Sequence, residues 1–268
     1  MIGSFLYKKL KNKYHIFPTS SGKKKNFLNL NLLNKTDNWP KIFKLDAIIF
    51  LGGMTKILDC EKNKILSKKI NVNGLKKVIK FYKEKKTQII FFSTTAVFKG
   101  NKKFYSIYDK KFPSNEYAKQ KLLSEKIVLE NKGLVIRVTK LVDSLITLIK
   151  KWKSNLKNNR KIRPFLNINL ALVTKKNIFE IVNYSLKKEK NGIIHLSASE
   201  EINYIKIAEI LCKKLKKNKK LIEPIKVPLK MTNIVQKHST LKNNIVVKKI
   251  TSIKNSEEII NSYLNRVL

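Results

Sequence analysis

The chain has 268 residues and a formal net charge of +41, from 59 Lys and Arg against 18 Asp and Glu. Among the basic residues only Arg137, Arg160, Arg163 and Arg266 are arginines, and the lysines are spread along the whole chain among Asn and Ile. This argues against specific nucleic-acid binding, which favours the bidentate guanidinium. Cys60 and Cys212 lie far apart and outside any CxxC pattern, which excludes a disulfide framework and a zinc site, and no apolar run reaches the about 18 residues of a membrane span.

In chain order, residues 3–13 place Phe5, Leu6 and Leu10 at helical spacing and give way to a short apolar run at 14–17, which reads as helix and then strand. Residues 46–51 form a continuous apolar run stopped by Gly52 and Gly53, the pattern of a parallel strand buried on both faces. The stripe Leu66, Ile70, Leu75, Val78, Ile79 and Tyr82 predicts a helix over 65–85. A second buried strand over 88–92 ends at Ser93-Thr94-Thr95. A helix over 117–131 feeds a strand over 133–138.

The second half is less regular. Residues 150–163 are densely basic and read as a loop or a mobile helix around Trp152, whereas 164–173 are apolar enough to return to the core. A helix over 177–186, a last strand over 192–196 and an amphipathic helix over 204–217 follow. Strands alternating with helices predict an α/β fold with a doubly wound parallel sheet, whose sites gather at the carboxyl ends of the strands. No internal repeat or Gly/Ser linker divides the chain. The expected division is a dinucleotide-binding domain over 1–145 and 165–196 and a small C-terminal cap over 146–164 and 197–268.

The sharpest chemical feature is Tyr117-Ala-Lys-Gln-Lys121, whose spacing puts a phenol and an ammonium one helical turn apart. A neighbouring cation favours the phenolate, so Lys121 is expected to lower the Tyr117 pKa. Upstream stands Ser93-Thr94-Thr95-Ala96-Val97-Phe98-Lys99-Gly100, then Pro113, and Glu125 lies one turn beyond Lys121.

With those motifs in order, the chain resembles the extended short-chain dehydrogenase/reductases, the NAD-dependent epimerase/dehydratase branch that acts on nucleotide-linked sugars. The family writes S-[ST]-x-x-V-[YF]-x-G after a strand, then a proline and Y-x-x-x-K. The resemblance implies that Thr94 orients the sugar oxygen, Tyr117 is the acid/base and Lys121 binds the nicotinamide ribose. Asp46–Gly53 resembles the strand whose end packs beside the cofactor, so Leu51, Gly52 and Gly53 are expected there. Asn71 falls on the helix that follows, and Arg137 where the family writes I-x-R. Taken singly, Asn71 reads as a helix surface residue and Arg137 as a cation paired with a carboxylate. His15, His195 and His238 read as structural, since no carboxylate, Ser or Cys at useful spacing nominates them.

Dinucleotide-binding folds open on a strand and a G-x-x-G-x-x-G turn. Here Met1-Ile2-Gly3-Ser4 supplies only the last glycine, so Ile2 and Gly3 are the expected remnants of the cradle and the first strand is expected to be encoded upstream. Residues 18–25, Pro-Thr-Ser-Ser-Gly-Lys-Lys-Lys, carry no acidic residue for a ribose 2′-hydroxyl, which favours NADP over NAD as cofactor. The compact length and the Ser-Thr-x-x-Val-Phe form are most similar to the dTDP-4-dehydrorhamnose reductase group. The implied activity is an NAD(P)-dependent oxidoreductase, epimerase or dehydratase of a nucleotide sugar, cytoplasmic and a possible homodimer. The alternative is a non-catalytic dinucleotide-binding or scaffold relative. Lys237 and His238 read as surface residues rather than as contacts to a diphosphate.

Overall fold

The computed structural model describes residues 2–22, 24–228 and 234–268. The chain enters on α1 (Ile2–Leu10) and makes two short strands, β1 (Thr19–Ser20) and β2 (Leu28–Asn29), which pair in parallel with each other. β3 (Ala47–Phe50) leads through α2 (Ile57–Lys62), α3 (Lys64–Lys68) and α4 (Gly74–Tyr82) to β4 (Gln88–Thr94). α5 (Glu116–Glu130) then feeds β5 (Leu134–Val138). After β6 (Lys140–Leu141), α6 (Ile146–Lys157), β7 (Asn169–Leu170) and β8 (Leu172–Val173), α7 (Lys175–Lys188) returns to β9 (Gly192–Leu196). β10 (Ile202–Asn203), α8 (Tyr204–Lys214), α9 (Ile245–Ile250) and α10 (Ser256–Val267) follow.

The main sheet is parallel in the order β3-β4-β5-β9, in register Phe50 to Phe91, Phe92 to Ile136 and Ile136 to Ile194. Its strands are apolar runs without alternation because both faces are covered. On one face α1, α7 and α9 contribute Leu6, Leu10, Ile178, Ile181 and Val247, and on the other α4 contributes Leu75, Val78, Ile79 and Tyr82 beside Trp39. This is the doubly wound α/β fold that the alternation of strands and helices predicts. Gly133 opens β5 because a Cβ there would meet the Ile89 carbonyl oxygen of β4 at 2.9 Å.

Four elements differ from expectation. The run at 14–17 makes no strand: Tyr14 and Ile16 pack onto α1 and α7, His15 and Phe17 face outward against each other, and pairing begins only at Thr19. The helix expected over 65–85 begins earlier and is broken into α2, α3 and α4, with a π-helical turn at Lys69–Asn73. The basic stretch after residue 145 is a regular helix, α6, which buries Ile149, Trp152 and Leu156 on one side while its lysines face water. Its charge hid an apolar stripe at ordinary helical spacing. α10 was not anticipated, although Ile259, Ile260, Tyr263 and Leu264 give it a buried face.

Those two helices and α8 enclose a second apolar core, separate from the sheet faces, around Trp152, Leu156, Leu172, Leu211, Ile260 and Leu264. The antiparallel pair β7-β10 and the parallel pair β6-β8 flank it. α9 instead packs on the main sheet through Val247. No helix among the described residues is long and apolar enough to cross a membrane.

Candidate active site

β4 carries the chain to the carboxyl edge of the sheet, and its last residue, Thr94, turns it. The Thr94 hydroxyl accepts the Ala96 amide hydrogen at 3.2 Å and so caps the short 3-10 turn Thr95–Val97. α5 starts beside this edge because Asn115 caps it, accepting the Ala118 amide at 2.9 Å, and because Glu61 of α2 accepts the Glu116 amide at 2.6 Å. With its first turn so held, α5 sets Tyr117 and Lys121 toward β4.

The three side chains converge. The Thr94 side chain stands beside the Tyr117 phenol and favours its ionised form, and the Lys121 ammonium lies 5.9 Å from the centre of the Tyr117 ring. Lys121 Nζ also donates to the Phe92 carbonyl at 2.7 Å and sits over the Phe91 ring at 4.4 Å. The expectation that Lys121 lowers the Tyr117 pKa is corrected: burial pushes the phenol up to about 12, the Cys60 thiol adds to the rise, and only the Thr94 side chain opposes it. The ammonium is spent on Phe92 and on ring faces rather than on the phenol oxygen. Burial in turn pulls Lys121 down to about 8, against the charges of Glu125 and Cys60, which raise it.

The residues expected around a cofactor gather at the same edge. Ile2 and Leu51 share an apolar cluster with Phe92, and a Cβ on Gly3 would make ordinary contact with Leu51 at 3.5 Å. Gly52 and Gly53 are exposed just beyond β3, and Gly53 has φ +145°. Asn71 does not face outward as a helix surface residue would. It is buried in the π-helical turn, where Oδ1 accepts the Met54 amide at 2.7 Å while Nδ2 donates to the Met54 carbonyl at 3.0 Å and to Gln120 Oε1 at 2.8 Å. It therefore ties the Gly53 loop to α5 and uses its whole amide on the protein. Of the motifs read above, Met1 and Lys23 lie outside the described residues.

Two polar groupings beneath the edge escaped the sequence reading as groupings. Gln120, wholly buried, donates to Ser67 Oγ at 2.8 Å, and Ser124 donates to the Asn71 carbonyl at 3.1 Å, so the buried seam of α5 is polar and shows no apolar stripe. Arg137 is 1% exposed and forks onto Glu125, Nε to Oε1 at 2.9 Å and Nη2 to Oε2 at 2.7 Å, the carboxylate partnership expected of it. The i,i+4 step from Lys121 to Glu125 was the available signal. His238 is the other surprise. Its Nδ1 lies 2.8 Å from Oε2 of Glu201, which also accepts the Ser239 and Thr240 amides at 2.6 and 2.8 Å. The carboxylate comes from 37 residues away, beyond any local spacing rule. No group of three or more metal-ligating side chains assembles among the described residues.

Comparison with known proteins adds the following. The model of the family described as RmlD substrate binding domain matches residues 1–268. No curated protein matches the sequence. The fold is similar to a hypothetical dTDP-4-dehydrorhamnose reductase from Sulfolobus tokodaii, with TM-score 0.76 and 21% identity over 94% of this chain and 92% of that one. It is similar to the dTDP-4-dehydrorhamnose reductase of Bacillus anthracis solved in complex with NADP, with TM-score 0.77 and 18% identity over 99% and 95%. The dTDP-glucose 4,6-dehydratase of the same organism, in complex with NAD, gives 0.73 and 15% over 99% and 92%.

Proposed function

The chain belongs to the RmlD substrate binding domain family, and from that premise we propose that it is an NAD(P)-dependent reductase of a nucleotide-linked sugar, most like a dTDP-4-dehydrorhamnose reductase. The observation that carries this reading is the convergence of Thr94, Tyr117 and Lys121 at the carboxyl end of β4. The fit of a dinucleotide is supported by the glycine with φ +145° after β3 and by the half-buried start of α1, where Gly3 lies against Leu51. A reduced nicotinamide, when bound, supplies the hydride to the sugar carbonyl carbon.

The protein supplies the rest. Tyr117, a phenol that carries its proton at neutral pH, gives it to the carbonyl oxygen as the C–O π bond becomes an alcohol. Thr94 orients that oxygen through its hydroxyl beside the phenol. Lys121, fixed on the Phe92 carbonyl beside the phenol, holds a ribose hydroxyl.

The C-terminal core around Trp152, Leu211 and Leu264 is assigned to the sugar-nucleotide cap. NADP is assigned as the preferred cofactor. Lys24 Nζ lies 3.2 Å from Ser4 Oγ at the start of α1, which brings a cation and a hydroxyl to the place where a 2′-phosphate is taken. Exposed Leu58, Ile65 and Leu66 on α2 and α3, with Leu123 on neighbouring α5, support a homodimer. A cytoplasmic location and a role in polysaccharide biosynthesis belong to the same proposal.

The test is a screen of dTDP- and UDP-linked 4-keto sugars with NADPH and NADH, followed by absorbance of the reduced cofactor. Oxidation of the cofactor matched by sugar reduction is expected. Tight nucleotide binding with no turnover on any sugar would replace the proposal with a non-catalytic relative.

A further inference from the structure

Three consecutive residues of β4 each hold one side chain of α5. Thr94 stands beside the Tyr117 phenol, the Phe92 carbonyl accepts from Lys121, and Ser93 donates to Glu125 Oε1. The third rung differs from the other two in being wholly interior: Glu125 is 2% exposed, Arg137 1% and His195 0%. Ser93, Arg137 and His195 lie directly opposite one another across β4, β5 and β9, one residue below Thr94, so they form a polar row under the floor of the site.

A buried carboxylate is retained as an ion only when paired and hydrogen-bonded. Glu125 has both, a two-pronged guanidinium and the Ser93 hydroxyl. Arg137 is occupied in turn by His195 Nε2 at 3.2 Å and by the Phe98 ring, 5.1 Å from the guanidinium carbon. The remaining charged group close to the pair is Lys111, from the loop over the row. Lys121, one turn before Glu125, faces Tyr117 from its own helix, Cys60 from α2 and the Phe91 ring and Phe92 carbonyl from β4. Glu125 is the carboxylate among these neighbours.

We propose that Glu125, clamped by Arg137 and Ser93, is a positioning residue of this site, the buried counter-charge that keeps Lys121 a cation and keeps α5 in register with β4. The inference rests on the reading of Lys121 as a site residue and not on which sugar is reduced. Burial works against the Lys121 ammonium, and Glu125 is the first of the groups that work for it. Arg137 and Ser93 act one step further back, by fixing the Glu125 carboxylate in place.

The test reads Lys121 directly, by competitive trace acetylation of the full chain across the lysine titration range with peptide-level mass spectrometry. Exposed Lys119 and Lys126 on the same helix serve as internal controls. In the double variant Glu125→Gln/Arg137→Met, which leaves no stranded charge, the Lys121 midpoint is expected to fall by about one pH unit while the controls stay in place. Arg137→Lys, which keeps a cation on Glu125, is expected to retain the parent midpoint. An unmoved midpoint in a folded double variant, or a rise toward the value of the controls, overturns the proposal and leaves the row a packing feature. Should the double variant fail to fold, Ser93→Ala decides: a smaller fall in the same direction supports the proposal and no fall overturns it. The readout needs no turnover, so absence of reductase activity would refute the proposed reduction of a nucleotide sugar and leave this measurement standing.

Discussion

A Cβ placed on Gly53 would lie 2.7 Å from Oδ1 of Asn71, the same atom that accepts the Met54 amide hydrogen. The glycine and the asparagine are therefore one device: the loop after β3 can approach the π-helical turn closely only because residue 53 has no side chain. Gly53→Ala adds strain at φ +145° to that clash and is expected to destabilise the fold by about 2 kcal/mol, read as a lowered urea midpoint at unchanged slope.

Tyr117→Phe removes one buried hydroxyl beside Thr94. The expected cost in stability is about 1 kcal/mol, whereas kcat with NADPH and the sugar found in the screen should drop by about 10²- to 10⁴-fold. Calorimetry and initial rates on one preparation separate the two. Rates within a factor of two of the parent would remove the phenol from the chemistry.

His195 is wholly buried, and its pKa is pulled down to about 3, first by desolvation and then by the charge of Arg137. In the unfolded chain the imidazole titrates near its ordinary 6.5. Between those values the unfolded state binds a proton that the folded state refuses, so this residue contributes stability above pH 6.5 that is lost as pH falls toward 3. In His195→Gln, which keeps an acceptor for Arg137, the acid-side loss of stability should shrink by on the order of 3 kcal/mol. Urea titrations of both proteins at stepped pH check it.

Lys24 is exposed, stacked 3.7 Å over Phe27 and bonded to Ser4. Lys24→Glu is expected to raise KM for NADPH about tenfold and to leave KM for NADH near its parent value, since only the 2′-phosphate senses the reversed charge. Equal changes for both cofactors would place Lys24 away from the adenosine ribose.

Much of this protein was legible in its residues alone. The apolar runs at 46–51, 88–92 and 133–138 could be satisfied only by strands covered on both faces, and the stripe Leu75, Val78, Ile79 and Tyr82 marked α4 between the first two. The Tyr117 to Lys121 spacing put phenol and ammonium on one side of a helix before any packing was known. These are local properties, set by neighbours a few residues apart.

What the tertiary structure alone decided lies between distant segments. Burial outweighs the nearby cation at Tyr117, because desolvation depends on everything packed around the phenol and not on Lys121 alone. Asn71 turns inward because the Gly53 loop and Gln120, 17 residues before it and 49 after it, offer partners for its whole amide. Glu125, Arg137, Ser93 and His195 form a single row because parallel strands set residues from remote stretches side by side, and a charge can stay buried only where such a row completes its hydrogen bonds.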